Sequence, residues 1–332
     1  MKASFEIDIP MKPLAPPIRP FAVVALGEAM VEFTRIGAGT YGQGFGGDTS
    51  NTVVAAARQG ARAAYLSRVG SDPFGAMLLG MWSEEGVDHT GISIDEHAPT
   101  GLYFISHDAS GQHHFHYLRA GSAASRMTPA WLDETAAPRI RDSSWLHVSG
   151  ISQAISATAC DTVFAAIEMA RAAGTKISYD PNLRLRLWSQ PRARAIIVSS
   201  IATADLVLPG LDECEWLTGS RRITEIVDWF TAHGAPDLVI KCGEAGAWTW
   251  CRTAPTPCHC PPVHVTPVDA TGAGDCFNGA LLARLAMGDA LHEAANYANI
   301  AAALSTTGHG AVAPIPSRQA VLRHRQQLRA DR

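Results

Sequence analysis

Short apolar runs alternate with helix-like stretches along most of the chain, and this alternation constrains the fold more than any other feature. Phe21–Leu26 is a continuous apolar run, and Thr49–Gln59 an Ala/Val-rich helical stretch closed by Gly60. Ala63–Arg68 predicts a second strand, and Pro73–Glu85 a helix that Gly86 stops. Further strands are expected at Ser144–Val148, Lys176–Asp180, Asp205–Leu208 and Leu238–Cys242. Helices are expected between them at Ala157–Ala173, Pro191–Ser200 and Ile223–His233. Apolar strands separated by amphipathic helices build a mostly parallel sheet covered on both faces. Ligands of such sheets bind beyond the carboxyl ends of the strands. Gly27-Glu28, Asp180-Pro181-Asn182, Pro209-Gly210 and Lys241-Cys242-Gly243 fall at those ends.

Two segments break the alternation. Val31–Phe45 and Thr100–Arg119 have the pattern of β-hairpins. In the second, Gly101–Ser106 and Gln112–Arg119 flank a turn at His107–Gly111. Tyr117 and Arg119, two apart on a strand, share a face that Tyr103 can join from the partner strand. The hairpin is either a lid over a ligand or an ordinary hairpin with a solvated polar face.

The 332 residues, 47% hydrophobic and 17% charged, suffice for one sizeable α/β domain with a small subdomain. A net charge of −4 offers no basic footprint for nucleic acid or an anionic membrane. No apolar run approaches the roughly 20 residues that span a bilayer. Residues 1–20 lack the apolar centre of a secretory signal and are expected to be a disordered extension. Seven scattered cysteines fit a reducing cytoplasm better than a disulfide framework.

The densest chemical signal is Val268-Asp269-Ala270-Thr271-Gly272-Ala273-Gly274-Asp275, running into Cys276-Phe277-Asn278-Gly279. Small residues close a turn just before a helix marked by Phe277, Leu281, Leu282 and Leu285 and ended by Gly288. A glycine turn at a helix start gathers unpaired N–H donors and a positive dipole, a setting suited to phosphate. A carboxylate there, Asp275, can take a proton from a hydroxyl nucleophile, or it can be a plain helix cap.

Other motifs fare worse. Gly37-Ala38-Gly39-Thr40-Tyr41-Gly42 matches the dinucleotide fingerprint literally but does not open a helix after a strand. No Walker-type phosphate loop is present. Cys258-His259-Cys260, with Cys251 nearby, is spaced too tightly for a usual zinc site, and His113, His114 and His116 alternate across strand faces. Arg318–Arg332 is expected to be a basic terminal helix.

The late Gly274-Asp275 turn, taken with Gly46-Gly47-Asp48-Thr49-Ser50-Asn51-Thr52-Val53-Val54-Ala55-Ala56-Ala57, resembles the two signatures of the ribokinase-like PfkB sugar kinases. Lys241-Cys242-Gly243-Glu244-Ala245-Gly246 is similar to their nucleotide-side turn, and Leu217-Thr218-Gly219 follows an acidic helix in the usual place. The likeness runs from about Val23 to about Pro316. It implies a doubly wound, mostly parallel sheet with helices on both faces, spanning residues 21–316, with a small β-sheet lid from residues 31–47 and 97–121. Residues 317–332 are left as a basic tail. The sugar-facing segments are similar to those of 2-keto-3-deoxygluconate kinases: Gly27-Glu28-Ala29-Met30-Val31-Glu32, Tyr103 after Thr100-Gly101, Tyr117-Leu118-Arg119-Ala120-Gly121-Ser122-Ala123, and Asp180-Pro181-Asn182-Leu183-Arg184.

The resemblance implies transfer of the ATP γ-phosphoryl group to the C6 hydroxyl of 2-keto-3-deoxygluconate. Asp275 would be the general base, and the backbone N–H groups of Gly272, Ala273 and Gly274 the anion hole. Gly46, Gly47, Asp48, Asn51, Tyr103, Tyr117, Arg119 and Arg184 would bind the sugar. The two arginines have the planar donors that grip a carboxylate. Lys241, Gly243, Gly246, Gly272, Gly274 and Asn299 would hold ATP. Asn182 and Glu213 would hold Mg²⁺ through water, and related enzymes use the region of Asp269 for a monovalent cation such as K⁺. The expected partners are an acid sugar and ATP, with no nucleic acid or membrane, and a homodimer formed through the lid sheets.

The chain also departs from the family pattern. Gly210 stands where many members have the Asn of Asn-x-x-Glu, Gly27-Glu28 replaces Gly-Asp, and Ala270 replaces a hydroxyl residue or proline. Kinases for fructose, 2-ketogluconate or a nucleoside are the alternatives within the family, and a non-catalytic sugar-responsive regulator the alternative outside catalysis.

Overall fold

The computed structural model describes residues 19–107, 113–132 and 136–330. Two sheets account for its strands. The larger contains β1 (Phe21–Leu26), β4 (Ala63–Gly70), β5 (Asp88–Asp95), β8 (Ser143–Ser149), β9 (Lys176–Asp180), β10 (Leu206–Val207), β11 (Asp237–Lys241), β12 (Ala247–Cys251) and β13 (Ala254–Cys260). The smaller contains β2 (Met30–Gly37), β3 (Thr40–Gly46), β6 (Gly101–His107) and β7 (His113–Leu118).

The large sheet has the order β13-β12-β11-β10-β9-β8-β1-β4-β5. Every pairing from β11 to β5 is parallel, and only β12 and β13 run antiparallel at one edge. Alternate side chains on β1 divide between two cores. Val23 and Ala25 join Tyr65, Val54 and Leu281 on one face, whereas Val24 and Leu26 join Leu66, Ile167 and Ile197 on the other. This period of two is why the inner strands carry no polar face. Helices Asp48–Arg58, Pro73–Glu84, Ala273–Ala286 and Leu291–Ser305 cover the first face, and Ala157–Ala172, Gln190–Ile201, Leu211–Thr218 and Ile223–Ala232 the second. The ribokinase-like α/β architecture expected from the sequence is therefore present.

The strands and helices named from sequence all occur, with ends moved by a residue or two. The sequence reading omitted β5, the β12–β13 hairpin and the helix Leu291–Ser305. Pro255 and Pro257 mask β13, and an edge strand tolerates them because it needs partners on one side only.

The small sheet has the order β3-β2-β6-β7. Strand β2 pairs with β3 antiparallel and with β6 in parallel, so the two hairpins share one sheet. The fingerprint-like Gly37–Gly42 segment forms the β2–β3 turn, with Gly39 at φ +72°. Met30, Tyr103 and Ile105 form a separate core with Phe115. Ile36 and Leu118 are 68% and 61% exposed, giving this sheet apolar side chains open to a partner.

Residues 1–18, most of the expected N-terminal extension, lie outside the described residues, as do residues 108–112 of the expected hairpin turn. The basic tail forms the helix Arg318–Ala330. Among the described residues no helix is long and apolar enough to cross a membrane.

Candidate active site

The two signature segments lie far apart in the chain and form one site because their helices touch. The backbone of Gly279 packs against the helix Asp48–Arg58 so closely that a Cβ would lie 2.2 Å from the Thr52 carbonyl oxygen and 2.6 Å from Ala55 Cβ. That contact brings Asn51 to Asp275, and Asn51 Nδ2 donates to Asp275 Oδ2 at 2.8 Å.

Asp275 lies in the first turn of the helix Ala273–Ala286, whose N-cap is Gly272 in the left-handed conformation at φ +75°. The N–H groups of Gly272 and Gly274 meet no acceptor among the described residues. Ala273 differs from expectation, because its N–H donates to the Ala270 carbonyl at 3.2 Å and so belongs to the turn. Asp269 also serves the turn. It accepts from the Thr271 N–H, the Thr271 hydroxyl and the Gly310 N–H.

Several carboxylates share this small volume. Burial, and then the neighbouring Asp48 carboxylate, push Asp275 up to about 8, although the Asn51 hydrogen bond opposes them. Burial likewise raises Asp48, which accepts from Asn182 Nδ2 at 2.9 Å and keeps Oδ1 without a partner among the described residues. Lys241 is the cation among them. Its Nζ donates to Asp180 Oδ2 at 2.6 Å and to Asn278 Oδ1 at 3.3 Å. Burial alone would lower this ammonium, but Asp180 and Glu213 hold it above its ordinary value. Asp180 and Asn278 thus anchor the lysine, a role that sequence reasoning did not assign. Asn278 was legible only as part of the late signature.

Beyond the helix start lies a cavity of 530 Å³. Lys241, Gly243, Gly246, Gly274 and Asn299 line it, together with Val263, Val265, Phe277, Ala302 and Ala303. The five polar and glycine positions were expected there, but the apolar walls were not. They come from the segment after β13 and from the helix Leu291–Ser305. Asn299 directs its Nδ2 to the carbonyls of Cys260 and Pro261.

A second groove holds Asn182, Arg184, Gly210, Glu213, Trp216 and Arg221. Glu213 accepts from the Gly210 N–H at 2.7 Å and the Leu183 N–H at 2.6 Å. Its carboxylate therefore caps the helix Leu211–Thr218 where Gly210 has no side chain to do so. Burial, reinforced by Asp180, raises this group too. Arg184 is exposed in this groove, which no lid residue lines, and donates to the Leu183 carbonyl. The structure does not bring it to the lid tyrosines.

On the small sheet, Tyr103 and Tyr117 are register partners with ring centroids 5.7 Å apart. Tyr103 packs over the early signature, so a Cβ on Gly46 would lie 2.1 Å from the tyrosine oxygen. Its hydroxyl donates to the buried Glu32. Arg119 lies just past the end of β7 rather than on the strand, with its guanidinium carbon 5.8 Å from the Tyr117 ring centroid, and it forms an ion pair with the buried Glu28. Among the described residues no group of three or more His, Cys, Asp and Glu side chains gathers to hold a metal. His259, from the Cys258–Cys260 segment, instead approaches the Ala245 carbonyl at 2.9 Å.

The model of the pfkB family of carbohydrate kinases matches residues 21–318. Fructokinase-2 of Solanum habrochaites is 34% identical over 313 residues, 89% of this chain and 93% of the relative. Fructokinase-1 of Zea mays is 33% identical over 317 residues, covering 90% and 96%. A crystal structure of a double mutant of fructokinase from Vibrio cholerae O395 with fructose, ADP and potassium superposes with a TM-score of 0.82 at 29% identity, covering 92% of this chain and 98% of the other. The two signatures, the fold that joins them and these matches make the chain a member of the pfkB family of carbohydrate kinases.

Proposed function

We propose that this carbohydrate kinase transfers the γ-phosphoryl group of ATP to the terminal (C6) hydroxyl of a neutral ketohexose, with fructose the foremost candidate. The observation that carries the reading is the meeting of Asp275 with Asn51 beside the N–H donors of Gly272 and Gly274. Burial raises the Asp275 carboxyl, which makes its ionised form a stronger base than an exposed carboxylate, and a general base is typically worth about 10²–10⁴-fold. Fixed N–H donors at the helix start oppose the negative charge that builds on the transferring phosphoryl group. In this reading Gly46, Gly47, Asp48, Asn51 and Tyr103 hold the sugar. Lys241, Gly243, Gly246 and Asn299 hold the nucleotide in the 530 Å³ cavity, whose apolar walls suit a base.

Asn182 and Glu213 fit a hydrated Mg²⁺. They line one groove, and each Glu213 oxygen keeps a lone pair beyond the one N–H it accepts. When bound, Mg²⁺ would neutralise charge on the nucleotide phosphates. The potassium in the Vibrio cholerae fructokinase supports a monovalent cation as well. The exposed apolar side chains of the small sheet support a homodimer formed lid to lid.

One observation favours a neutral sugar: the named relatives are fructokinases. The acid-sugar reading, phosphorylation of 2-keto-3-deoxygluconate to 2-keto-3-deoxy-6-phosphogluconate, draws support from Tyr103 and Tyr117 on one face of the small sheet and Arg119 beside them. ADP release from Mg-ATP with fructose, 2-keto-3-deoxygluconate, 2-ketogluconate and adenosine separates the readings. Highest kcat/KM with fructose is expected. Preference for 2-keto-3-deoxygluconate would replace the neutral-sugar reading, and turnover with none of the four would overturn it.

A further inference from the structure

The small sheet buries a carboxylate that phosphoryl transfer does not use. Glu32 stands on the inner strand β2, opposite Gly44 of β3 on one side and Tyr103 of β6 on the other, and is 4% exposed. Gly44 makes the room, since a Cβ there would lie 3.2 Å from Glu32 Oε1. Both carboxylate oxygens are taken by hydroxyl groups. The Thr34 hydroxyl donates to Oε1 at 2.7 Å, and the Tyr103 hydroxyl donates to Oε2. Buried and bonded on both oxygens, Glu32 acts on a ligand through Tyr103 rather than by touching it.

Tyr103 is held as well. Its ring packs against Phe115 and Tyr117, with centroids 6.3 and 5.7 Å away, and its oxygen lies over Gly46 at the start of the early signature. Only the direction of the O–H bond is left to choose. A phenol has one proton to donate and lone pairs to accept with, whereas an ionised carboxylate only accepts. The proton is thus committed to Glu32, whose charge strengthens the bond. Burial, and then the Glu32 charge, hold the phenol above its ordinary value, so it keeps the proton that it donates. What the tyrosine oxygen offers at Gly46 is its lone pairs.

We propose that Glu32 is a positioning residue, which takes the Tyr103 proton and so presents the phenol oxygen as an acceptor for a hydroxyl group of the bound sugar. The inference rests on the sugar-kinase reading above, in which Tyr103 holds the sugar. It does not choose between neutral and acid sugars, because both classes carry hydroxyl groups.

The test is a cycle of wild type, Glu32→Leu, Tyr103→Phe and Glu32→Leu/Tyr103→Phe. Each is assayed with Mg-ATP and with the one of fructose, 2-keto-3-deoxygluconate, 2-ketogluconate and adenosine that wild type turns over with the highest kcat/KM. Tyr103→Phe removes the acceptor and should raise the KM for the sugar by about fivefold, while the KM for ATP stays within about twofold. Glu32→Leu frees the phenol proton to turn toward the sugar and should raise the same KM by a similar factor. Added to Tyr103→Phe, it should cost less than about twofold more, because its target is gone. If Glu32→Leu does not fold, Glu32→Met, unbranched and closer in length, takes its place in the cycle.

Full addition of the two effects overturns the proposal, as does a folded Glu32→Leu whose sugar KM is unchanged. A Glu32→Leu that raises the KM for sugar and for ATP alike also overturns it, since the sheet and not the sugar contact was then disturbed. Each of these results comes from an active wild type and leaves the sugar-kinase reading standing. A wild type that turns over none of the four overturns that reading, and the proposal with it.

Discussion

Asn51 Nδ2 donates to Asp275 Oδ2 at 2.8 Å across 224 residues of sequence, joining the early and late signatures in one hydrogen bond. The bond depends on a helix contact that only glycine permits. A Cβ on Gly279 would lie 2.2 Å from the Thr52 carbonyl oxygen, an atom of fixed backbone. Gly279→Ala must push the two helices apart and should cost about 1–3 kcal/mol, as overpacking does. It should also lower kcat more than it raises the KM for ATP. Urea unfolding and steady-state kinetics check both. Unchanged stability and kcat would show that the helices do not depend on this contact.

The buried Asp275 makes a second prediction. Its folded value of about 8 lies far above its ordinary 3.8, so the fold favours the protonated acid. That contribution is fully present below 3.8 and is lost as pH rises to about 8, because the unfolded chain gives up the proton first. Asp275→Asn keeps the shape without the charge. Its Tm should therefore exceed that of wild type by a margin that grows between about pH 4 and pH 8 and is level above that. A Tm difference that does not vary with pH would contradict the shifted carboxylate.

Lys241 is the cation on which the neighbouring carboxylates depend. Its ion pair with Asp180 is 2.6 Å long, and both side chains are largely buried. Lys241→Met leaves Asp180 without its counter-charge and should cost about 3–5 kcal/mol. Adding Asp180→Asn removes the stranded charge and should recover much of that loss. Chemical denaturation of the single and double variants is the check. Equal stabilities for Lys241→Met and the double variant would mean that the pair is not coupled.

How much of this was legible in the sequence differs between fold and site. The α/β alternation was readable because buried parallel strands are uniformly apolar, and Gly272–Asp275 because a glycine turn before a helix is a local feature. Strand β13 was hidden by Pro255 and Pro257, which only its edge position tolerates. The walls of the cavity were hidden for another reason. Val263, Val265, Ala302 and Ala303 carry no chemistry of their own, and only the fold brings them together. The arginines were legible as residue types but not as roles. Arg119, just past the end of β7, meets Glu28 just past the end of β1, and Arg184 opens onto the groove of Glu213. Periodicity places a side chain on a face, but it does not say which charge awaits it there.

The most direct test of the central claim is kcat of Asp275→Asn with fructose and Mg-ATP, measured together with nucleotide affinity by calorimetry. If Asp275 takes the hydroxyl proton, kcat should fall by about 10²–10⁴-fold while the Kd for ATP stays within about threefold. A variant that keeps kcat within tenfold of wild type would contradict Asp275 as the base.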